Sequence, residues 1–245
     1  RAWFLGLREG GYAPASLAVG HAALKFFFDV SRQRPDIMKG LPRPRVAKQP
    51  LGIPLTREEA RPLLRALGAT PQFYAIIATV LGSGMRISEV TRVGIRDIDS
   101  ANGLVHIRNG KGGKLRSVGL SPRLLRVLRR YWAVMRPESR TWLFPSRRYA
   151  PFGRPTHPIV WKADEPVTVD IVRRRLARAA KRVGLTRTVT PHDLRRSYAT
   201  WLLESGVDLR VVQTLLGHAS PETTARYTYI RPEFLKRLPS GLDLL

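Results

Sequence analysis

Residues 190–229 read TPHDLRRSYATWLLESGVDLRVVQTLLGHASPETTARYTY, and this stretch opens with the signals of a helix N-terminus. Thr190 is a favourable N-cap residue, Pro191 suits the first helical position, and Asp193 stands where its side chain can return the capping hydrogen bond. The pattern therefore predicts a helix that begins at Pro191.

The side chains of that helix divide into an apolar stripe and a basic face. The apolar residues recur at helical spacing and are predicted to be buried: Leu194, Tyr198, Trp201 and Leu202. His192 and Arg195 are three positions apart, so they share a neighbouring face near the positively polarised N-terminus, which favours an anion. A second helix is predicted from Asp208 to Gly217, and His218 follows it directly.

The composition restricts the class of partner. Lys and Arg number 43 against 18 Asp and Glu, a formal net charge of +25 that is spread along the chain. Such an excess repels itself unless a polyanion neutralises it, so nucleic acid is the expected partner, and a merely solvated basic surface is the alternative. There is no cysteine, which excludes disulfides, cysteine-containing metal sites and a thiol nucleophile. No apolar run reaches ~18 residues and no signal-peptide pattern opens the chain, so we expect an intracellular protein without a membrane partner.

The chain before residue 55 differs in character from the rest. Residues 14–30 predict an amphipathic helix with four buried positions, at Leu17, Leu24, Phe27 and Phe28. Residues 35–54 carry five prolines among basic residues, which excludes regular structure and indicates an interdomain linker. The piece that precedes the linker is near the lower limit for an independent fold, so it is expected to be part of a larger helical domain.

Two helices are predicted directly after the linker. Thr56 and Glu59 form a capping box that opens the first, and Pro62 should kink or shorten it because proline removes an internal hydrogen bond. Residues 71–81, PQFYAIIATVL, are nearly all apolar and too short to span a membrane. They predict a buried core helix.

Gly82 and Gly84 are expected to break that buried helix. Arg86 and Glu89 follow, three positions apart. An arginine and a glutamate at this spacing are most often a surface ion pair of little energetic value. The unusual feature is that Arg86 comes directly after a glycine-broken turn at the end of a core helix.

Residues 103–120 change to a period of two. Val105 and Ile107 alternate with polar neighbours, the sequence NGKGG supplies a turn, and an apolar alternation then resumes. This pattern predicts a β-hairpin with Lys111 and Lys114 near its tip. The sequence GKGGK is not a phosphate-binding P-loop, because it lacks the fixed glycine spacing and the Lys-Ser/Thr pair.

Three further segments complete the chain up to the opening stretch. Ser121 is predicted to cap a helix that ends at Met135, and residues 142–166 predict a long loop without periodicity. Thr168 is predicted to cap a helix through Val183, whose exposed basic side chains are candidates for DNA phosphate contacts: Arg173, Arg174, Arg178 and Lys181. These elements predict a mainly α fold with a small antiparallel β-hairpin, in the α+β class.

Five short boxes occur in order along the chain: GMRISEV, GKGGK, HDLRRS, LGH and TTARY. Each is weak evidence alone, but together, with His218 and Tyr227 nine positions apart, they resemble the tyrosine recombinase (phage integrase) family, including Xer-type and integron-type integrases. The resemblance implies four parts: a partial helical core-binding domain at 1–34, a linker at 35–54, a tyrosine recombinase catalytic domain at 55–235 and a C-terminal tail at 236–245.

The same resemblance implies a set of active-site residues, and none of them is replaced here: Arg86, Glu89, Lys111, His192, Arg195, His218 and Tyr227. A phosphodiester gains negative charge on its nonbridging oxygens during in-line displacement, so the guanidiniums of Arg86 and Arg195 would hold the transition state. His218 would hydrogen-bond a phosphate oxygen. Glu89 would orient Arg86 or a histidine without touching DNA.

Tyr227 is the expected nucleophile. A tyrosine hydroxyl with a pKa of ~10 needs a base or a strong positive field at neutral pH, and His192 is the candidate proton acceptor. Lys111 is the candidate acid for the departing 5′ oxygen. Tyr229 is a competing nucleophile, although packing of the C-terminal segment explains it better. The phosphotyrosyl link conserves bond energy, so no cofactor, ATP or metal is expected.

The resemblance therefore implies a site-specific recombinase that cleaves and rejoins double-stranded DNA through a 3′-phosphotyrosine, for integration or excision of a mobile element. It implies a homotetramer on paired DNA sites, in the cytoplasm of a prokaryote and associated with the nucleoid. The alternatives are a nicking-closing enzyme of the type IB topoisomerase kind and a truncated DNA-binding remnant.

Two further residues, Arg196 and Lys114, are candidates for DNA contact. The C-terminal tail is expected to dock either on a neighbouring protomer or on its own chain.

Overall fold

A computed structural model of the chain describes residues 6–7, 10–39, 41, 43–44, 52–108, 116–148, 160–217 and 238–245. The chain forms two units, Arg1–Leu51 and Gly52–Leu245. In the part of the chain that is described, no helix is long and apolar enough to cross a bilayer.

The first unit contains helix α1 (Pro14–Phe26), which continues as a π-helix over Phe27–Ser31. A 3-10 turn at Pro35–Met38 follows, in the proline-rich segment where no regular structure was expected. Proline at the first position of that turn has the φ angle the turn requires and has no N–H to satisfy.

The predicted buried face of α1 is partly wrong. Leu17 is buried as expected, but its buried companions are Ala18 and His21. Leu24 and Phe28 are only half-buried, and Phe27 is 43% exposed. Phe27 and Phe28 lie within the π-helix, whose i→i+5 turn departs from the 3.6-residue period on which the prediction depends.

The second unit contains seven α-helices and five β-strands among its described residues. The helices are α2 (Arg57–Leu67), α3 (Pro71–Ser83), α4 (Ile87–Val90), α5 (Pro122–Met135), α6 (Val169–Arg182), α7 (Pro191–Glu204) and α8 (Leu209–Leu216). The strands are β1 (Ile98–Asp99), β2 (Leu104–Ile107), β3 (Arg116–Gly119), β4 (Pro145–Arg148) and β5 (Val160–Pro166). This confirms a mainly helical fold with small antiparallel sheets.

Helix α3 is the centre of the core, and it packs against α2, α5 and α7. Its side chains are buried on every side, as expected from its apolar sequence; the largest are Phe73, Ile76, Ile77 and Leu81. Each such side chain contributes about 1.5–3 kcal/mol when it leaves water. The elements that carry the site are therefore fixed to one buried helix.

Two expectations about helix ends are corrected. Gly82 lies inside α3, and the helix ends only at Gly84, whose φ of 65° is left-handed. Of the two effects expected of Pro62, a kink or a shortened helix, the shortening does not occur, because α2 continues to Leu67. The carbonyl that Pro62 leaves without an intrahelical donor belongs to Glu58, an exposed residue of the first turn, so water can satisfy it.

The β-hairpin is confirmed, and it has a third strand that the sequence did not reveal. β2 pairs with β3 in antiparallel register, with Ile107 opposite Arg116, and β1 pairs with the other edge of β2. The loop predicted over residues 142–166 is wrong, because β4 and β5 pair there as an antiparallel hairpin. A register shift next to Pro145 interrupts its alternation, which hides the strand pattern in the sequence.

The last eight residues pack on their own chain. Leu242 is buried in the main core, and the Ser240 hydroxyl donates to the Gly82 carbonyl at 2.8 Å. Arg123 donates to the Leu242 carbonyl, and Arg61 Nε donates to the carbonyl of Leu245 at 2.7 Å. Residues 238–245 therefore contact their own chain, and the first two residues of the predicted tail, 236–237, lie outside the described residues.

Candidate active site

Helix α7 begins with a reciprocal capping box, as the sequence predicts. The Asp193 amide donates to Thr190 Oγ1 at 3.3 Å, and Asp193 Oδ2 accepts from the Thr190 amide at 2.9 Å and from its hydroxyl at 2.7 Å. These bonds satisfy N–H groups that the first turn of a helix leaves free. They fix the start of the helix that carries His192 and Arg195.

Residues 52–55, which we call the lead-in segment, lie across the start of α7. Arg196 Nη1 donates to the Gly52 carbonyl at 2.8 Å, and the Leu55 amide donates to Ser197 Oγ at 2.8 Å. Arg187 donates to the carbonyls of Ile53 and Pro54 at 2.8 and 3.2 Å. A Cβ atom at position 52 would lie 2.1 Å from an Asp193 carboxylate oxygen and 2.6 Å from Arg196 Nη1, so a larger residue there would have to displace these side chains.

Arg195 is a buried cation held by main-chain carbonyls. The residue is 3% exposed, and its guanidinium donates to the Gly84 carbonyl at 2.7 Å and to the carbonyl of Leu216. Burial, and then the positive charge of Arg86, lower the pKa of Arg195 to about 10. The side chain therefore stays protonated at neutral pH, and a guanidinium has five N–H donors, so donors remain for a ligand.

Arg86 stands at the start of α4 and is held by a carboxylate. Its amide donates to Glu89 Oε2 at 2.8 Å, and its Nη1 donates to Glu89 Oε1 at 3.0 Å. Its Nη2 donates to the Gly217 carbonyl at 3.3 Å. Arg86 and Arg195 thus bond to the two consecutive carbonyls at the C-terminus of α8, directly before His218.

Glu89 is the acid between two arginines. Its side chain is 4% exposed, and Arg116 donates to both of its oxygens at 2.8 Å. Burial alone would raise the pKa of Glu89, but the hydrogen bonds from Arg116 and from the Arg86 amide outweigh burial and lower it. Glu89 is therefore a buried carboxylate that remains ionised. Arg116 is absent from the residues that the sequence suggested.

His192 lies at the exposed start of α7. Partial burial, and then the positive charges of Arg196 and Arg195, lower its pKa below the ordinary 6.5. The imidazole is therefore neutral at pH 7, which is the state a proton acceptor needs.

The structure brings together four of the predicted site residues, namely Arg86, Glu89, His192 and Arg195. The other members lie outside the described residues: Lys111, Lys114, His218, Tyr227 and the competitor Tyr229. The candidate DNA contacts on α6 are all exposed, and Arg173 pairs with Asp170 at 3.5 Å. Across the described ranges, no group of histidines and acids could hold a metal ion.

The arrangement suits an anion that gains charge during a reaction. Two guanidiniums with hydrogen-bond donors to spare bond to adjacent carbonyls, and both are oriented by buried groups. Their positive charges also act on His192 and help to keep it neutral. Planar guanidiniums are the preferred ligands of phosphate oxygens in proteins. Fold and site together are therefore those of a protein that can hold a phosphate group between two arginines.

Comparisons with known proteins identify the family. The model of the phage integrase family matches residues 54–233. A putative integrase/recombinase, y4qK of Sinorhizobium fredii, is 38% identical over 97% of this chain and 71% of its own length. The tyrosine recombinase XerA of Pyrococcus furiosus is 32% identical over 98% of this chain and 78% of its own length.

A solved structure agrees with these relatives. The XerH site-specific recombinase, bound to its difH substrate in a pre-cleavage complex, matches 95% of this chain and 67% of its own chain. The identity is 25% and the TM-score is 0.67. The chain belongs to the phage integrase family and is a tyrosine recombinase, an enzyme of site-specific DNA cleavage and rejoining.

Proposed function

We propose that this chain cleaves DNA by attack of the Tyr227 hydroxyl on a phosphorus atom that Arg86 and Arg195 hold. The observation that carries the proposal is the convergence of these two guanidiniums on the Leu216 and Gly217 carbonyls, next to His218 in sequence. A single oxyanion-type donor contributes about 10²–10³-fold in rate, and two arginines supply several. The site is thereby preorganised for a pentacoordinate phosphorus.

The chemistry balances without a cofactor. The Tyr227 oxygen forms a bond to phosphorus while the bond to the 5′ oxygen breaks, and that oxygen takes the electron pair. The tyrosine proton goes to His192, whose neutral imidazole can accept it. Lys111 gives a proton to the departing oxygen, and His218 donates a hydrogen bond to the phosphate. A 5′ hydroxyl of another strand then reverses the step and rejoins DNA.

The test is covalent trapping on a nicked duplex. Duplexes that cover the DNA flanking the gene, each nicked close to the cleavage position so that the short leaving strand with the free 5′ hydroxyl is lost, should leave an adduct that survives denaturation. Tyr227→Phe should abolish the adduct, and Tyr229→Phe should retain it. An adduct on Tyr229 would contradict the assignment. So would the absence of an adduct on every duplex, if the unmodified chain and Tyr227→Phe bind DNA with the same affinity.

Exchange between two duplexes requires four cleaved strands, and each active site supplies one tyrosine. We therefore infer a homotetramer on paired sites, acting in integration or excision of a mobile element on chromosomal DNA in a prokaryotic cytoplasm. Mass photometry should show four protomers with two duplexes. A topoisomerase-like enzyme would instead relax supercoiled plasmid as a monomer, and a DNA-binding remnant would form no adduct.

The division into parts follows from the same proposal. The family match over residues 54–233 supports a catalytic domain at 55–235, with a core-binding piece at 1–34 and a linker at 35–54 before it. The exposed basic side chains of α6 would lie along DNA phosphates, while Arg196, which bonds to Gly52, has less freedom to do so.

Salt dependence tests the α6 surface. Arg174→Gln and Arg178→Gln should each reduce the slope of log affinity against log salt by about 1, because one phosphate contact is lost. Arg126→Gln, an exposed position on α5, is the control and should leave the slope unchanged. If all three variants give the same slope of log affinity against log salt, α6 is not part of the DNA interface.

A further inference from the structure

Arg116 connects three parts of the site that are far apart in sequence. It lies at the start of β3, the strand that follows Lys111, and its two terminal nitrogens donate to Glu89. Its guanidinium also lies against Gly217, since a Cβ atom built there would be 3.2 Å from Arg116 Cζ and Nε. Gly217 directly precedes His218. The side chain of Arg116 therefore links its own strand, β3, to the carboxylate beside Arg86 and to the end of α8.

The bonds to Glu89 fill all of its acceptor positions. Oε1 accepts from Arg86 Nη1 and Arg116 Nη1, and Oε2 accepts from the Arg86 amide and Arg116 Nη2. A carboxylate has about four lone-pair sites, so none is left over. The pair of parallel bonds from Arg116 needs the planar fork of a guanidinium, which lysine cannot reproduce.

The charges show what the second arginine achieves. Without Arg116, the buried Glu89 would have Arg86 as its only cationic partner among these contacts, and the carboxylate would compete with a phosphate for that guanidinium. With Arg116 present, the negative charge of Glu89 is balanced from the other side. The positive charges of Arg86 and Arg195 then remain available to the ligand. Arg116 Nε is buried without a hydrogen-bond partner in the described structure, so the guanidinium depends on Glu89 in turn.

We propose that Arg116 is a positioning residue for strand cleavage, which frees and orients the Arg86 guanidinium by holding Glu89. This inference rests on the proposed function, because it assigns Arg86 to the scissile phosphate. Arg116 itself does not touch DNA. Its loss should slow cleavage and leave DNA binding little changed, since misplacement of a reacting group by about 1 Å can cost on the order of 10²-fold in rate.

The experiment measures single-turnover adduct formation on the nicked duplex, with a normal scissile phosphate and with a methylphosphonate in which a methyl group replaces one nonbridging oxygen. Arg116→Gln should be slower by on the order of 10²-fold on the phosphate. On the neutral methylphosphonate its deficit relative to the unmodified chain should shrink, because charge stabilisation by Arg86 is no longer needed there. A folding defect would slow both substrates equally.

A double-mutant cycle tests the route through Glu89. If Arg116 acts through Glu89, the Glu89→Gln/Arg116→Gln double variant should be no slower than the slower single variant. Arg108→Gln is the matched control, because Arg108 directly follows β2 of the same sheet and pairs with Asp97. Arg108→Gln should cleave at the unmodified rate.

Arg116→Lys keeps the positive charge but loses the planar guanidinium that makes two parallel bonds to Glu89. It provides a second variant if Arg116→Gln unfolds. It should fold and remain slow on the phosphate. Cleavage by either folded variant at the unmodified rate, or an equal deficit on both substrates, overturns the inference and leaves the proposed function standing. If the unmodified chain forms no adduct, the proposed function fails first and this inference fails with it.

Discussion

The two candidate phosphate-binding arginines are held in opposite ways. Arg195 is buried, and main-chain carbonyls of Gly84 and Leu216 receive its guanidinium. The Arg86 side chain is 31% exposed, and a carboxylate, Glu89, orients it. Carbonyl acceptors are part of the fold and do not titrate, whereas a carboxylate partner can be protonated or drawn to another cation. Arg195 is therefore fixed as part of the core, whereas the position of the Arg86 guanidinium depends on the charge and partners of Glu89.

Substitution of each arginine should separate these roles most strongly. Arg195→Ala and Arg86→Ala should each slow cleavage by about 10²–10³-fold or more, because each removes donors to the transition state. Arg195→Ala should also lower the free energy of unfolding by more than Arg86→Ala does, by about 1–3 kcal/mol, since it leaves two buried carbonyls without donors whereas Glu89 keeps Arg116 when Arg86 is removed. Single-turnover cleavage and urea denaturation measure the two effects. Equal destabilisation by both substitutions would contradict the comparison.

The proton acceptor gives the next largest effect. Since the pKa of His192 is lowered, cleavage should lose rate on acidification only below pH 6.5, as the imidazole gains a proton. His192→Gln should cut the rate by about 10²–10⁴-fold and remove this acid limb from the pH–rate profile. An acid limb that persists in the variant would assign the proton to a different group.

A glycine pair tests how rigid the Arg195 side of the site is. Gly84 and Gly184 both have left-handed φ angles, 65° and 79°, so alanine costs about 1–2 kcal/mol at either position. A Cβ at Gly84 would also lie 2.3 Å from the Tyr198 ring, whereas nothing lies within 4 Å at Gly184. Gly84→Ala should be more destabilising by about 1–3 kcal/mol. Calorimetry of both variants measures this difference in unfolding free energy. Similar free energies for the two variants would show that the Tyr198 ring moves aside at little cost.

The smallest effect is the pH dependence of stability on the Arg86 side. The pKa of Glu89 is lowered in the folded state, so its contribution is complete above the unfolded value of about 4.5 and is lost as pH falls through the folded pKa. The unfolding free-energy difference between the unmodified chain and Glu89→Gln should be flat above pH 5 and shrink in stronger acid. The matching difference for Arg195→Ala should not change in that window.

Local signals predicted the elements that carry the site. Thr56, Ser121 and Thr190 all accept the capping hydrogen bonds that their positions suggest, because a cap depends on residues three positions away. The β4–β5 hairpin was missed, since strand pairing depends on a distant partner and a bulge disturbs the alternation. The burial of Phe27 was predicted wrongly, since the residue is 43% exposed.

Arg116 was missed for a similar reason, as its partner Glu89 is 27 positions away. A signal was nevertheless present. Arg116 alternates with Val118 and Leu120, both buried, so it occupies an inward-facing strand position where a charge needs a partner. A charged residue on the apolar face of a strand next to a candidate catalytic lysine is a pattern that could reveal such residues in other chains.

The lead-in segment determines how the second unit begins. Hydrogen bonds from Arg187, Arg196 and the Ser197 contact fasten residues 52–55 to the chain around the first turns of α7. The second unit therefore begins as a segment of irregular backbone tied to the helix that carries the proposed proton acceptor. A substitution that breaks one of these bonds would act on the start of α7 without touching the hydrophobic core.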